Sequence, residues 1–441
     1  MSSNGKRRPW LMAAAGAALI ALVALGLAAC GGGDSTGGDA TSSASTEAVS
    51  GDSRETGKIT PEDVKAALSY VGGTEEAADA SLPPVKIGFV NNQGGAIGFP
   101  DQEMAADAAV KLVNEKLGGV QGHPVELAKC FIKAEEDGQK CASQLLNEGV
   151  EVANWGITVF GEESFLKLVN GKFPVLMSTS AFPFPNDQVF QYDGGSQAII
   201  NAIVNNTAQA GKKVAVIMGD NPPLRANASE FVVPGLKAEG ISVKPIFVSD
   251  TATTPEYVSA LQSSGAADSD ALLLMVSTAG NCLSVYTAMQ QLGLELPVFS
   301  TPQCSSEPVP AETGGGPTGF TVSSGQDIPL IDTPEQNTYN NTMEEYGYGE
   351  DANGGFTNRS FDDILTLVKI ANEVGFDNLS APELSKALKS FAGPAWGIPG
   401  ELACGSDPSR PGLCGYSASN ATYTGTEWEV LPPFEDPGLK P

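Results

Sequence analysis

The chain has 441 residues, 41% of them hydrophobic, one His, seven Cys and a formal charge of −27 at pH 7. That length holds two domains of ordinary size even after a leader is removed. The acidity excludes binding to nucleic acid or to anionic lipid by charge, and its plainest consequence is solubility.

In chain order, Lys6, Arg7 and Arg8 precede an uncharged Ala- and Leu-rich run over 11–29, which ends in Leu27-Ala28-Ala29-Cys30. A basic start, an apolar middle and small residues before a cut make a secretory signal peptide. The run is just long enough to cross a bilayer, so a retained membrane helix is the alternative. Leu-Ala-Ala-Cys resembles the bacterial lipobox, whose Cys is lipidated and becomes the first residue. The resemblance implies a lipid on Cys30 and an extracytoplasmic address on the outer face of the cell membrane. Arg7-Arg8-Pro9-Trp10-Leu11 loosely resembles a twin-arginine signal, which leaves two export routes open. Residues 31–56 are mostly Gly, Ser, Thr, Asp and Ala. They lack the apolar surface to offset their conformational entropy and read as a flexible tether. A short helix over 58–71, starting at Thr60-Pro61-Glu62, has no evident role. The main body is expected from about Pro84.

From there strands and helices alternate. Strands are expected over 85–90, 125–128, 151–157 and 174–178, with helices over 101–117, 139–147 and 162–170 between them. The pattern restarts with helices over 197–209, 226–239, 255–263 and 282–292 and strands over 214–218, 242–248, 271–276 and 297–300. Helices over 360–374 and 381–391 follow, and 416–431 reads as β structure. Such alternation implies an α/β fold of parallel sheets wound on both sides, here as two similar lobes. The expected division is 1–29 signal peptide, 30–83 lipidated Cys and tether, 84–196 and 326–410 first lobe, and 197–325 and 411–441 second lobe. Ligands of open parallel sheets bind outside the carboxyl ends of the strands. The loops to watch are therefore 91–100, 158–163, 178–184, 219–225, 277–281 and 301–305.

With Cys30 set aside, six Cys remain for an oxidising compartment. Their closeness in sequence suggests local bridges Cys130–Cys141, Cys282–Cys304 and Cys404–Cys414, each contributing roughly 2–3 kcal/mol in the loop-entropy model. Free buried thiols or a metal site are the alternatives, though no C-x-x-C spacing supports metal. Catalytic chemistry is sparse. His123 is the single His and sits in a Gly-rich turn, where a surface role is expected. No zinc-protease, phosphate-loop or dinucleotide pattern occurs. Asp362-Asp363 lies at a helix start, where carboxylates suit the dipole. Gly314-Gly315-Gly316-Pro317 lacks the Lys and hydroxyls of a phosphate loop. No cofactor, no metal and no enzymatic activity are expected.

Val85-Lys86-Ile87-Gly88-Phe89, the helix ending Val113-Asn114, and Gly118-Gly119-Val120-Gln121-Gly122, in this order and spacing, resemble type I periplasmic solute-binding proteins of the branched-chain amino acid and amide group. The likeness covers 84–431, and the Cys130/Cys141 placement looks like the actinobacterial branch. It implies two Rossmann-like doubly wound lobes joined by hinge crossovers, with a ligand cleft between them. Carried over residue by residue, it implies Phe99 as an aromatic cover. Thr158 and Gly161, with Ser178, Thr179 and Ser180, would hold a ligand carboxylate, and Phe160 and Phe182 would join Phe99 as apolar walls. Ser277, Thr278 and Gln303 would come from the opposite lobe. Gln303 stands where amino-acid binders place an acid, which favours an amide, a small carboxylate or an aromatic acid. The implied function is capture of a small solute by a monomer, with lobe closure and delivery to an ABC transporter permease. A sensor of the same fold signalling to a membrane partner is the alternative, and a secreted enzyme a third.

Overall fold

The computed structural model describes residues 57–438 apart from 96–97, 159, 178–187, 350–351, 353 and 355. The expected signal peptide, tether and lipidated Cys30 lie outside the described residues, as do Ser178, Thr179, Ser180 and Phe182.

The first sheet is wholly parallel. Its strands are β1 (Val85–Asn92), β2 (Val125–Ile132), β3 (Val152–Trp155), β4 (Val175–Met177) and β5 (Val189–Gln191), in the order β2-β1-β3-β4-β5. The second contains β6 (Val214–Gly219), β7 (Ile246–Val248), β8 (Ala271–Met275), β9 (Val298–Ser300) and β10 (Phe320–Ser324). A two-stranded ladder, β11 (Ala392–Gly393) with β12 (Leu402–Ala403), stands apart. The hairpin β13 (Ser417–Tyr423) and β14 (Trp428–Glu435) completes the second sheet, in the order β14-β13-β10-β9-β8-β6-β7. It is parallel up to β10 and antiparallel beyond.

Around the first sheet lie α1 (Pro61–Val71), α2 (Pro100–Lys116), α3 (Asp137–Asn147) and α4 (Glu162–Val169). Next come α5 (Gly195–Ala210), α6 (Pro222–Asn227), α7 (Val233–Ala238), α8 (Thr254–Ser264), α9 (Ala279–Leu292) and the short α10 (Val309–Thr313) around the second. Then α11 (Pro334–Glu345), α12 (Arg359–Val374) and α13 (Ala381–Lys389) return to the first. Both faces of β1 are covered, and every residue of the strand except Lys86 is buried. Ile87 and Phe89 join the core built with α2 and α12, and Val90 joins the core built with α3 and α4. Gly88 lets α3 approach: a Cβ there would lie 2.9 Å from Leu145 Cδ1. In the second sheet, α5 and α7 cover one face and α8 and α9 the other. These are the two doubly wound lobes expected.

The chain crosses between the sheets three times. It leaves β5 at Gln191 for α5, leaves β10 at Ser324 for α11, and passes from β12 to β13 over 404–416. The first two crossings start at carboxyl ends of parallel strands. The third arrives beside the carboxyl end of β10, where Ser419 pairs with Ser324. Both sheets therefore turn their strand carboxyl ends toward the junction. The first and third crossings are bonded together, with Gln191 N–H donating to Gly412 O at 2.7 Å and Cys414 N–H to Gln191 O at 2.9 Å. All three local disulfides are present.

Several expectations change. The helix over 58–71 is part of the folded body. Thr60 and Asp63 form a reciprocal N-cap, Ala67 and Val71 are buried, and Asp63 accepts from Asn341 Nδ2 of α11 at 2.8 Å. The helix expected over 226–239 begins at Pro222 and carries a π-helical turn, Ala228–Val232, just before Pro234. Pro234 has no N–H to give, which suits a local change of hydrogen-bond register. The strand expected over 242–248 is only Ile246–Val248, and β5, β10 and α11 were not anticipated.

Candidate functional site

On the first lobe the site starts from two Asn residues at the end of β1. Asn91 is fully buried; its Nδ2 donates to Phe99 O at 2.7 Å and its Oδ1 accepts from Ile157 N–H at 3.2 Å. Asn92 N–H donates to Ile157 O and its carbonyl accepts from Phe99 N–H. Loops 91–100 and 156–158 are thus stitched together, which brings Phe99 and Thr158 to one end of the sheet. Phe99 is half-buried and occupies the N-cap of α2, where its carbonyl accepts from Gln102 N–H at 3.1 Å. The Thr158 hydroxyl oxygen is buried and has no hydrogen-bond partner.

Phe160 and Gly161 are placed differently. Phe160 packs against the core under α3 and α4, within its own lobe. Gly161 has φ 72°, a left-handed conformation that favours glycine. Its N–H already donates to Glu135 Oε2 at 2.8 Å, so in this conformation that amide is not available to a ligand.

On the second lobe, Ser277 is exposed after β8 and its hydroxyl donates to Asp250 Oδ1 at 2.7 Å. Asn221, the N-cap of α6, donates through Nδ2 to Ser277 Oγ at 2.8 Å and toward both oxygens of Asp250. Asp250 therefore gathers the carboxyl ends of β6, β7 and β8, and its carbonyl accepts from Asn281 Nδ2 at 3.1 Å. Since the Ser277 proton is committed to Asp250, what Ser277 offers outward is an acceptor. Neither Asp250 nor Asn221 was singled out from sequence. Thr278 caps α9 and exchanges hydrogen bonds with Asn281, so its hydroxyl serves the helix. Gln303 lies in a 3₁₀ turn, Pro302–Ser305, tied to α9 by Cys282–Cys304. The oxygens Gln303 Oε1 and Thr301 Oγ1 are buried without partners.

Beneath the junction is a buried polar cluster. Arg359 is 2% exposed and Asp193, Asp362 and Asp363 are 0–1% exposed. Asp362 does lie in the first turn of α12, and both carboxyls of the pair are buried. Asp363 accepts from Asn154 Nδ2 at 2.8 Å and Asp362 from Asn358 Nδ2 at 3.2 Å. Burial, helped by the neighbouring Asp363, holds the Asp362 carboxyl well above the usual range. Burial also pushes Asp327 up to about 6, against the Ser419 hydroxyl that donates to it at 2.6 Å.

His123 lies in a turn, as expected; its ring stacks on Phe376 at 3.3 Å and bonds Pro83 O. No group of His, Cys, Asp and Glu suited to a metal occurs among the described residues, and none of their helices is long and apolar enough to cross a membrane. A cavity of about 530 Å³ opens at the opposite, amino ends of β1 and β3. Its apolar walls Ile87, Leu367 and Leu384 are only 1–2% exposed, so it offers a ligand little surface.

Two wound lobes, joined at their strand carboxyl ends and carrying partnerless polar atoms there, define a two-lobed binding protein. A model of the periplasmic binding protein family matches residues 84–412, and the chain belongs to this extracytoplasmic family. It is a family of binding proteins, not of enzymes. Solved structures share the fold. An ABC transporter substrate-binding protein from Sphaerobacter thermophilus superposes with a TM-score of 0.65 at 15% identity, over 80% of this chain and 98% of that one. A solute binding protein of an ABC transporter from R. palustris, in complex with 4-hydroxybenzoate, gives 0.61 at 18% identity over 80% and 98%. An ABC transporter substrate-binding protein from Desulfitobacterium hafniense in complex with Leu gives 0.58 at 18% identity over 79% and 100%. No curated protein matches the chain in sequence.

Proposed function

We propose that this protein, anchored through a lipid on Cys30, captures a small carboxylate-bearing solute between its lobes and delivers it to the permease of an ABC importer. The observation that carries the reading is the set of buried, partnerless oxygens at Thr158, Thr301 and Gln303, all at strand carboxyl ends. Buried polar atoms are ordinarily satisfied, so these await a ligand or water. Asp250 and Ser277 favour a donor group, such as a hydroxyl or an amine, at the solute's other end. The ligands of the two bound neighbours, 4-hydroxybenzoate and Leu, both combine a carboxylate with a donor group. The sequence supports the anchor through Leu27-Ala28-Ala29-Cys30.

A thermal-shift screen of amino acids, amides and aromatic acids tests the capture. A ligand at a hundred times its Kd should add about 2.7 kcal/mol of stability. A screen in which no compound raises Tm sinks the reading.

A further inference from the structure

The buried cluster at the crossings contains Arg359, two of whose guanidinium nitrogens have no hydrogen-bond partner. Arg359 stands at the start of α12, in the first lobe, with its guanidinium 4.3 Å over the Phe356 ring. Its Nη1 lies 3.9 Å from Asp193 Oδ2, an ion-pair contact too long for a hydrogen bond, while Nε and Nη2 are buried without partners. Asp193 belongs to the first crossing. Its Oδ1 accepts from Gly195 N–H at 3.1 Å, where α5 of the second lobe begins. Its Oδ2 rests on the second crossing, since a Cβ on Gly325 would lie 2.4 Å from it. Around the pair, Asp362 accepts from Asn358, Asp363 from Asn154 and Asp327 from Ser419.

We propose that Arg359 and Asp193 form a hinge pair that sets the balance between two lobe arrangements, incomplete in the one seen here and completed by hydrogen bonds in the other. Turning the second lobe carries Asp193 with the crossings, while Arg359 stays with α12. Buried donors without partners cost free energy, so an arrangement that closes the gap gains by it. In this proposal Arg359 is a positioning residue that acts through Asp193. The functional consequence rests on the capture reading, but the pair itself is testable without ligand.

The test places one spin label at Lys167 on α4 and one at Gln262 on α8, both exposed, and measures the interlobe distance distribution of the ligand-free protein by pulsed electron resonance. Asp193→Asn keeps the shape and removes the charge, and should change the ratio of the two populations about fivefold or more. Arg359→Lys keeps the charge and loses the planar fork, and should move the ratio in the same direction. Cooperative melts of each variant establish that it is folded, and Arg359→Lys decides alone if Asp193→Asn does not fold. Distributions that superimpose on that of the wild type overturn the hinge pair. The ligand screen would stand untouched by that result, and a failed screen would leave this measurement decisive.

Discussion

At the scale of single residues, the acid at the second crossing has a consequence for stability. Asp327 is raised from 3.8 to about 6 by burial, with the charge of Glu335 adding to the rise. The folded chain thus holds this proton more tightly than the unfolded chain does. The sign is then fixed: stability falls as pH rises from about 4 to about 6 and stays lower above, by at most about 3 kcal/mol from this group. Asp327→Asn should remove the penalty while keeping an acceptor for Ser419. In calorimetry the variant should gain Tm relative to wild type at pH 8 and lose that gain at pH 4; an equal difference at both pH values would refute the assignment. The residues at strand ends were only partly legible. The loops that hold Ser277 and Gln303 follow from the position of their strands and the two residues from the family resemblance, whereas Asp250, after the strand ending at Val248, is in none of the expected loops. The rule that found the loop of Ser277 applies equally to that of Asp250. Glu135, which takes up the Gly161 amide, lies 26 residues away and leaves no local trace.

Among the elements, β8 is readable because ALLLM is an uninterrupted apolar run, and β1 because Val85–Val90 is apolar apart from Lys86 and Gly88. β10 was not, since its buried residues include hydroxyls satisfied across the sheet: Thr321 bonds Thr422 at 2.6 Å and Ser323 donates to Asn420 at 2.6 Å. Nor was α11, whose interior holds Gln336, Thr338 and Thr342. Thr338 and Thr342 return their hydroxyls to carbonyls one turn back, which hides a buried face behind a polar composition. β5, at three residues, is too short to show a period. The clearest prediction at this scale concerns α1. It packs on α11 and α12, and Tyr70 bonds Thr366 at 2.9 Å. A chain starting after residue 72 should be less stable by about 3 kcal/mol or more, given the apolar surface of Ala67 and Val71 it would expose. A urea midpoint unchanged by the truncation would show that the helix is dispensable.

For the whole molecule, the two lobes predict a response in shape. A solute bound at both strand-end faces draws the lobes together. Small-angle X-ray scattering should show a smaller radius of gyration with any compound that raises Tm, and an unchanged radius would mean that binding is confined to one lobe. The three crossings also bear on affinity. They meet at one place, two of them hydrogen-bonded to each other, so neither lobe can drift from the other. Once one lobe holds the solute, the acceptors of the opposite lobe meet it as an intramolecular partner, at an effective concentration set by these short links. On the capture reading, two individually weak half-sites would therefore act together as one strong site.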